Sequence, residues 1–242
     1  LYAATGEDGK DGPGWGVSRG VEGWRGWLLP WNPPPQPRIA WGDVYHPPTP
    51  GLTSGAPSGV QVLATYHLAY LYHAPWYTPV SQRDWSKVPL ILNGTWPKPF
   101  PEFSVVPPEA WPRVFAFDTE YTPDNWLVRY SMAFRSGRET FLYVVEREDH
   151  VVPVSLPPVI QPIFHNVEAD LTHLNRLMGH HKVKVEIEDS MYLHAVLAPD
   201  LDHHLDFLGS LYSPYNRTKH LAKSNPRVYA GGDALMTLEA WY

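Results

Sequence analysis

The chain has 242 residues, 18% charged and 43% hydrophobic, which suffices for one large domain or two small ones with packed cores. A net charge of −6 argues against a surface that coats nucleic acid broadly, although acids clustered to hold cations would weigh the count the same way. Cysteine is absent, which excludes disulfides, thiolate zinc sites and iron–sulfur clusters, and no apolar run approaches the roughly 20 residues that span a bilayer.

No signal-peptide pattern opens the chain, so an intracellular, cytoplasmic protein is expected. The first residue is Leu1 and the last, Tyr242, falls inside a predicted helix, which reads as a piece of a longer polypeptide. Most of the 27 prolines and 11 tryptophans lie before residue 112. Prolines at 30, 33, 34, 35, 37, 47, 48 and 50 rule out a long helix or central strand there. Val60–Thr65 predicts a short buried strand, and a helix follows near Val80–Val88. Residues 96–112 are punctuated by proline, which predicts a linker at 96–111 between regions 1–95 and 112–242.

Beyond the linker the pattern changes. Arg113–Thr119, Trp126–Phe134 and Thr140–Val145 predict three successive strands joined by short turns, one containing Ser136-Gly137. Pro162–Asn166 predicts a fourth strand and Val185–Asp189 a fifth. Between them Leu174, Leu177 and Met178 recur at helical spacing, which predicts a helix over Val167–Met178. Helices are also expected at Ser190–Leu197, at His203–Tyr212 and from Val228 onward. Three meandering strands followed by alternating helix and strand imply a mixed α/β sheet with helices on its faces.

Four acids and a tyrosine fall on these elements in an order that suits phosphodiester hydrolysis by two metals. That chemistry needs oxygen ligands holding two divalent ions about 4 Å apart. Magnesium or manganese prefers carboxylates and water. In Phe117-Asp118-Thr119-Glu120 the strand repeat sends Asp118 and Glu120 to one side, shared with Val114 and Ala116. Asp170 lies four residues before Leu174 and seven before Leu177, on its helix's apolar face. A buried acid is costly unless something pairs with it, and a metal would serve. Tyr229 and Asp233 stand four apart on one helix face, where the hydroxyl can orient a water beside a metal held by Asp233. Each motif alone is more often an ordinary polar pattern; their conjunction is what points to a site.

Residues 112–242 resemble the DEDD 3′–5′ exonuclease superfamily, in the tyrosine-bearing (DEDDy) form attached to family A DNA polymerases for proofreading. The resemblance rests on Phe117-Asp118-Thr119-Glu120, on Phe164-His165-Asn166-Val167-Glu168-Ala169-Asp170, and on Tyr229-Ala230-Gly231-Gly232-Asp233-Ala234. Asp189-Ser190-Met191 and His204-Leu205-Asp206-Phe207-Leu208 are similar to stretches these domains carry between the motifs. It implies an RNase H-like fold. It also implies that Asp118, Glu120 and Asp233 hold one divalent ion, that Asp118 bridges to a second, and that Asp170 acts there through water. Tyr229 would orient the attacking water, and Asn166, with Thr119 and His165 beside it in the motifs, would contact the substrate. The implied partners are a single-stranded DNA 3′ end and a covalently linked polymerase domain. The segment Arg147–Pro162 departs from the family, because Pro153, Pro157, Pro158 and Pro162 oppose the helix usually found there. An RNase D-like RNA exonuclease would use the same quartet, and an inactive nucleic-acid-binding module would keep the fold without the chemistry.

Tyr215–Arg227 contains Arg217, Lys219, Lys223 and Arg227 with no acid, so it is either a strand-holding segment or a solvated basic loop. His180-His181 and His203-His204 read as turn or capping positions.

The first region is similar to part of a family 4 uracil-DNA glycosylase, through Val62–Leu71, Asp84-Trp85-Ser86-Lys87, Leu1–Gly6 and Gly23–Gly26. In that family the histidine at the position of His67 contacts the flipped uracil. Here Leu68 replaces the usual proline, cluster cysteines are absent, and the water-activating motif would precede Leu1. The expectation is a partial, Pro/Trp-rich glycosylase-like α/β module that docks DNA or serves as scaffold, since base flipping needs a complete pocket.

Overall fold

The computed structural model describes residues 25–31, 60–63, 65–106, 108–146, 156–179 and 181–242, in two compact units that divide between Lys98 and Pro99. The segments Leu1–Gly6 and Gly23-Trp24, and residues 147–155 of the proline-bearing stretch, lie outside the described residues. No helix among the described residues is long and apolar enough to cross a membrane.

In the first unit β1 (Leu28–Trp31) pairs antiparallel with β2 (Val60–Leu63). Helices α1 (Leu68–His73), α2 (Thr78–Ser86) and α3 (Val88–Leu92) follow, with a 3-10 turn at Pro75–Tyr77. Proline opens both α2 and α3, where its missing N–H would have had no helical partner. The centre of this unit is ionic. Arg25 donates to both oxygens of Asp84 at 2.9 and 3.1 Å, Thr65 adds a hydroxyl at 3.1 Å, and both charged residues are fully buried. Buried Lys87 donates to the Gly26 carbonyl at 2.6 Å and lies 4.9 Å over the Trp96 ring.

The second unit is a mixed six-stranded sheet in the order β5-β4-β3-β6-β7, with β8 also pairing β6. Its strands are β3 (Val114–Tyr121), β4 (Leu127–Ser136), β5 (Glu139–Glu146), β6 (Val159–Phe164), β7 (Lys184–Val185) and β8 (Glu188–Asp189). β3, β4 and β5 meander antiparallel, while β6 runs parallel to β3, β7 and β8. The β4–β5 turn is tight because Gly137 takes a positive φ of 64°.

β6 begins three residues before the predicted strand and runs through Pro162. Gln161 donates to Arg113 on the β3 side, so Pro162 turns its missing N–H toward β7 and β8. β7 ends at Val185 and β8 starts at Glu188, so the proline sits opposite the break. A central strand tolerates proline where no ladder bond was due.

Two helices cover the sheet. On one face α4 (Val167–Met178) packs Leu174 and Met178 on Trp111, Phe115, Phe117, Tyr130 and Phe164. On the other, α7 (Pro226–Trp241) packs Ala230, Ala234, Leu235 and Leu238 on Ala116, Ala133, Leu142 and Val144. α7 approaches closely because small residues meet there: a Cβ on Gly231 would lie 3.1 Å from Leu142 and Val144. It starts at Pro226, two residues before the predicted Val228, with Asn225 accepting from Val228 at 3.4 Å as N-cap. α5 (Ser190–Leu197) and α6 (Leu205–Tyr212) complete the unit.

The proline-rich stretch 96–111 is not a free linker. Ser104 pairs along β5, donating to Leu142 at 3.0 Å and accepting from Val144 at 2.9 Å. Trp111 is buried edge-on against Phe115. The second unit therefore begins at Pro99 rather than 112, because its aromatic and β-bridging residues outweigh the prolines around them.

Candidate metal centre

β3 alternates between the two layers, and this places the acids. Ala116 faces α7 while Phe115 and Phe117 face α4, so Asp118 and Glu120 emerge on the α7 face and Thr119 on the α4 face. Asp233 comes from the second turn of α7. Single carboxylate oxygens of Asp118, Glu120 and Asp233 all lie within 4.8 Å of one another, and the three residues are half-buried.

Three facing carboxylates are electrostatically unfavourable. Burial, then the charges of Asp233, Asp170 and Glu120, push the Asp118 carboxyl far above its usual range. Asp233 is pushed up strongly too, by burial first and by Asp206 next. Glu120 is raised by burial, with Arg129 pulling it back. The Oδ2 atom of Asp118 is shut off from solvent and has no hydrogen-bond donor among the described residues. Ser131, opposite Asp118 in β4, lies 2.8 Å from the Ala230 carbonyl through its hydroxyl, and its hydrogen bond to the Asp118 carboxyl works against the rise. A crowded, all-oxygen donor set fits a hard divalent cation such as magnesium or manganese.

Asp170 is buried on the apolar side of α4, as the sequence predicts, but it is paired within the protein. Its Oδ1 accepts from the Thr119 N–H at 3.0 Å and from the Thr119 hydroxyl. Burial raises its carboxyl to about 7, with the two Thr119 bonds working against the rise. It reaches the end of β3 from the α4 face and stands outside the group of three. Tyr229, one turn before Asp233, is hydrogen-bonded to it. Burial, then the neighbouring acids, hold its hydroxyl protonated well above the ordinary tyrosine range. It can therefore orient a water but not act as a base.

The remaining predicted contacts separate. Asn166 is exposed at the entrance to α4 in a left-handed conformation, φ 71°. His165 Nδ1 is 3.0 Å from Ser190 Oγ, and burial lowers its ring to about 4. Arg217 is buried and donates to Asp206 at 3.0 Å, so its guanidinium is built into the unit rather than offered to a strand. Lys219 also meets Asp206, at 3.0 Å, and Lys223 is exposed. In the first unit His67 caps α1, its Nδ1 accepting from the Ala69 N–H at 3.1 Å. Of the two histidine pairs, His203 bonds ring to ring with His194 (Nδ1 to Nδ1, 2.8 Å), while His180 lies outside the described residues.

Sequence reasoning missed three positions. Asp189 caps two helices at once: Oδ2 accepts from Val167 at 2.7 Å at the head of α4, while Oδ1 accepts from Met191 and Tyr192 in α5. An aspartate directly before an apolar helix is a readable N-cap signal. Arg129 and Glu146 could not be found this way, because their meeting depends on strand register. No family model matches this chain, and no curated protein does.

Proposed function

We propose that the second unit is a two-metal-dependent 3′–5′ exonuclease of the proofreading type, with an RNase H-like fold, that shortens DNA from its 3′ end. The observation that carries this reading is the convergence of Asp118, Glu120 and Asp233 within 4.8 Å, drawn from a strand and a helix more than a hundred residues apart in the chain. The strand order β5-β4-β3-β6-β7, three antiparallel strands then parallel ones, supports it. So does Tyr229 on Asp233.

Asp118, Glu120 and Asp233 would hold one divalent ion, and Asp118 with Asp170 would support a second. Such ions supply an activated water and neutralise charge gathering on the phosphate. The protein's own groups do the rest. Tyr229 keeps its proton on the bond to Asp233, so its hydroxyl oxygen would accept from the water and orient it. Thr119 fixes Asp170 through two bonds, so the acid is held at the end of β3 rather than free to turn. Asn166, exposed at the head of α4, contacts the terminal nucleotide.

The test is degradation of a 5′-labelled single-stranded DNA with magnesium, beside Asp118→Ala and beside the matched RNA. A ladder shortening from the 3′ end, faster on DNA and absent in the variant, is expected. Folded protein that makes no ladder in magnesium or manganese would overturn the reading, and faster RNA cleavage would move it to the RNase D-like class.

A further inference from the structure

The carboxylate trio repels the polyanion it is proposed to cleave, and the chain as a whole is negative. Cations must therefore be arranged locally, and they are, in the same way at both ends of the trio. At the Glu120 end, register sets Glu120, Arg129 and Glu146 side by side in a row across β3, β4 and β5. Glu146 holds two cations, Arg129 Nε at 3.3 Å and Arg227 Nε at 2.9 Å. At the Asp233 end, Asp206 and Lys219 both act on the Asp233 carboxyl. Asp206 also holds two cations, Arg217 Nη2 and Lys219 Nζ, each at 3.0 Å.

Each cluster thus carries two positive groups on one acid, and each contains one sheltered and one accessible cation. Arg129 and Arg217 expose 13% and 4% of their side chains; Arg227 and Lys219 expose 45% and 50%. If the accessible member leaves, the acid keeps its sheltered arginine, so no buried charge is stranded. An exposed ion pair contributes little stability, whereas a phosphate offers a charge-assisted bond to the same cation. Arg227 is also two residues before Tyr229, in a first turn that contains no acid.

We propose that Arg227 and Lys219 grip DNA phosphates on the 5′ side of the scissile one, each moving from a carboxylate it shares with a sheltered arginine. This rests on the exonuclease reading and adds to it the two residues that position the strand.

The experiment measures KM and kcat for a single-stranded oligonucleotide over a range of salt, with wild type, Arg227→Gln, Lys219→Gln and Arg227→Lys. Each Gln variant is expected to raise KM severalfold, with a smaller change in kcat. Each is also expected to flatten the dependence of log KM on log salt by about 0.7, the value for one phosphate contact on a single strand. Arg227→Lys keeps the wild-type slope. The p-nitrophenyl ester of thymidine 5′-phosphate has no flanking phosphates, so its hydrolysis should suffer far less than that of the oligonucleotide. Arg138→Gln removes a cation from the exposed β4–β5 turn and should leave KM and slope at wild-type values. Wild-type slopes and KM in both Gln variants, or equal losses on the ester and the oligonucleotide, would overturn this inference while Asp118-dependent cleavage by the wild type persists. No Asp118-dependent cleavage by the wild type would overturn the exonuclease reading and this inference together.

Discussion

Both units bury acids, and they do so in opposite ways. In the first, Asp84 is enclosed by Arg25, Lys87 and Thr65; burial still pushes its carboxyl up, but both cations pull against it. In the second, Asp118, Glu120 and Asp233 face one another, and the cations nearby lean on Glu146 and Asp206 instead. A buried acid enclosed by its own counter-charges belongs to the structure. A group of acids whose neighbours add like charge lacks such counter-charges and could hold a metal ion, as Asp118, Glu120 and Asp233 could.

The largest expected effect breaks the second arrangement. Asp118→Ala should lower exonuclease turnover by at least about a thousandfold, the scale of losing one preorganised charge-stabilising group. It should leave thermal stability close to that of the wild type in chelator. A variant with more than a tenth of wild-type turnover would remove Asp118 from the reaction. The first arrangement should respond inversely. Arg25→Met strands Asp84 in the interior and is expected to destabilise the first unit by about 3–5 kcal/mol in urea unfolding. Arg25→Met with Asp84→Leu should recover most of that loss. No recovery in the double variant would mean that Arg25 matters for its packing on Tyr66 rather than for its charge.

Metal addition sharpens the contrast at the next scale. Manganese at about a hundred times its dissociation constant should stabilise the wild type by about 2.7 kcal/mol, and chelator should reverse it. The shift should be absent in Asp118→Ala and unchanged in Arg25→Met, with unfolding of the second unit followed separately. A shift that survives Asp118→Ala would place the bound ion elsewhere.

The sequence carried the fold of the second unit well where periodicity was strong. The bounds of α4 agree to the residue, since Asn166 and Gly179 punctuate an apolar stripe. It carried the trio through the order of the motifs and the resemblance they support: the strand repeat puts Asp118 and Glu120 on one side, while their meeting with Asp233 depends on α7 packing against β3. It failed where long-range pairing overrides local composition. Pro162 reads as a strand start, yet the break between β7 and β8 admits it mid-strand. The prolines around Ser104 and Trp111 read as a linker, yet one bridges to β5 and the other enters the core. Arg217 reads as a strand-holding or solvated cation, and nothing nearby in sequence announces that Asp206 pairs with it in the interior. Gly232 is legible only in retrospect: a Cβ there would meet Thr218 Oγ1 at 2.1 Å.

The smallest effect concerns pH, and its sign follows from Asp170. Its folded carboxyl titrates at about 7, above the ordinary 3.8. Between those values the unfolded chain has released the proton while the folded chain keeps it, so folding is favoured by the retained proton. That contribution is complete below about pH 4 and is lost as pH rises through 7. Asp170→Asn removes the titration and keeps an oxygen for the Thr119 donors. In chelator, the stability of Asp170→Asn relative to wild type should therefore climb from pH 4 to pH 7 and level off above it. Parallel unfolding curves for the two proteins across that range would mean that the Thr119 bonds hold Asp170 ionised throughout. It would then resemble Asp84, an acid settled by the protein itself, and its place beside the second ion would lose its support.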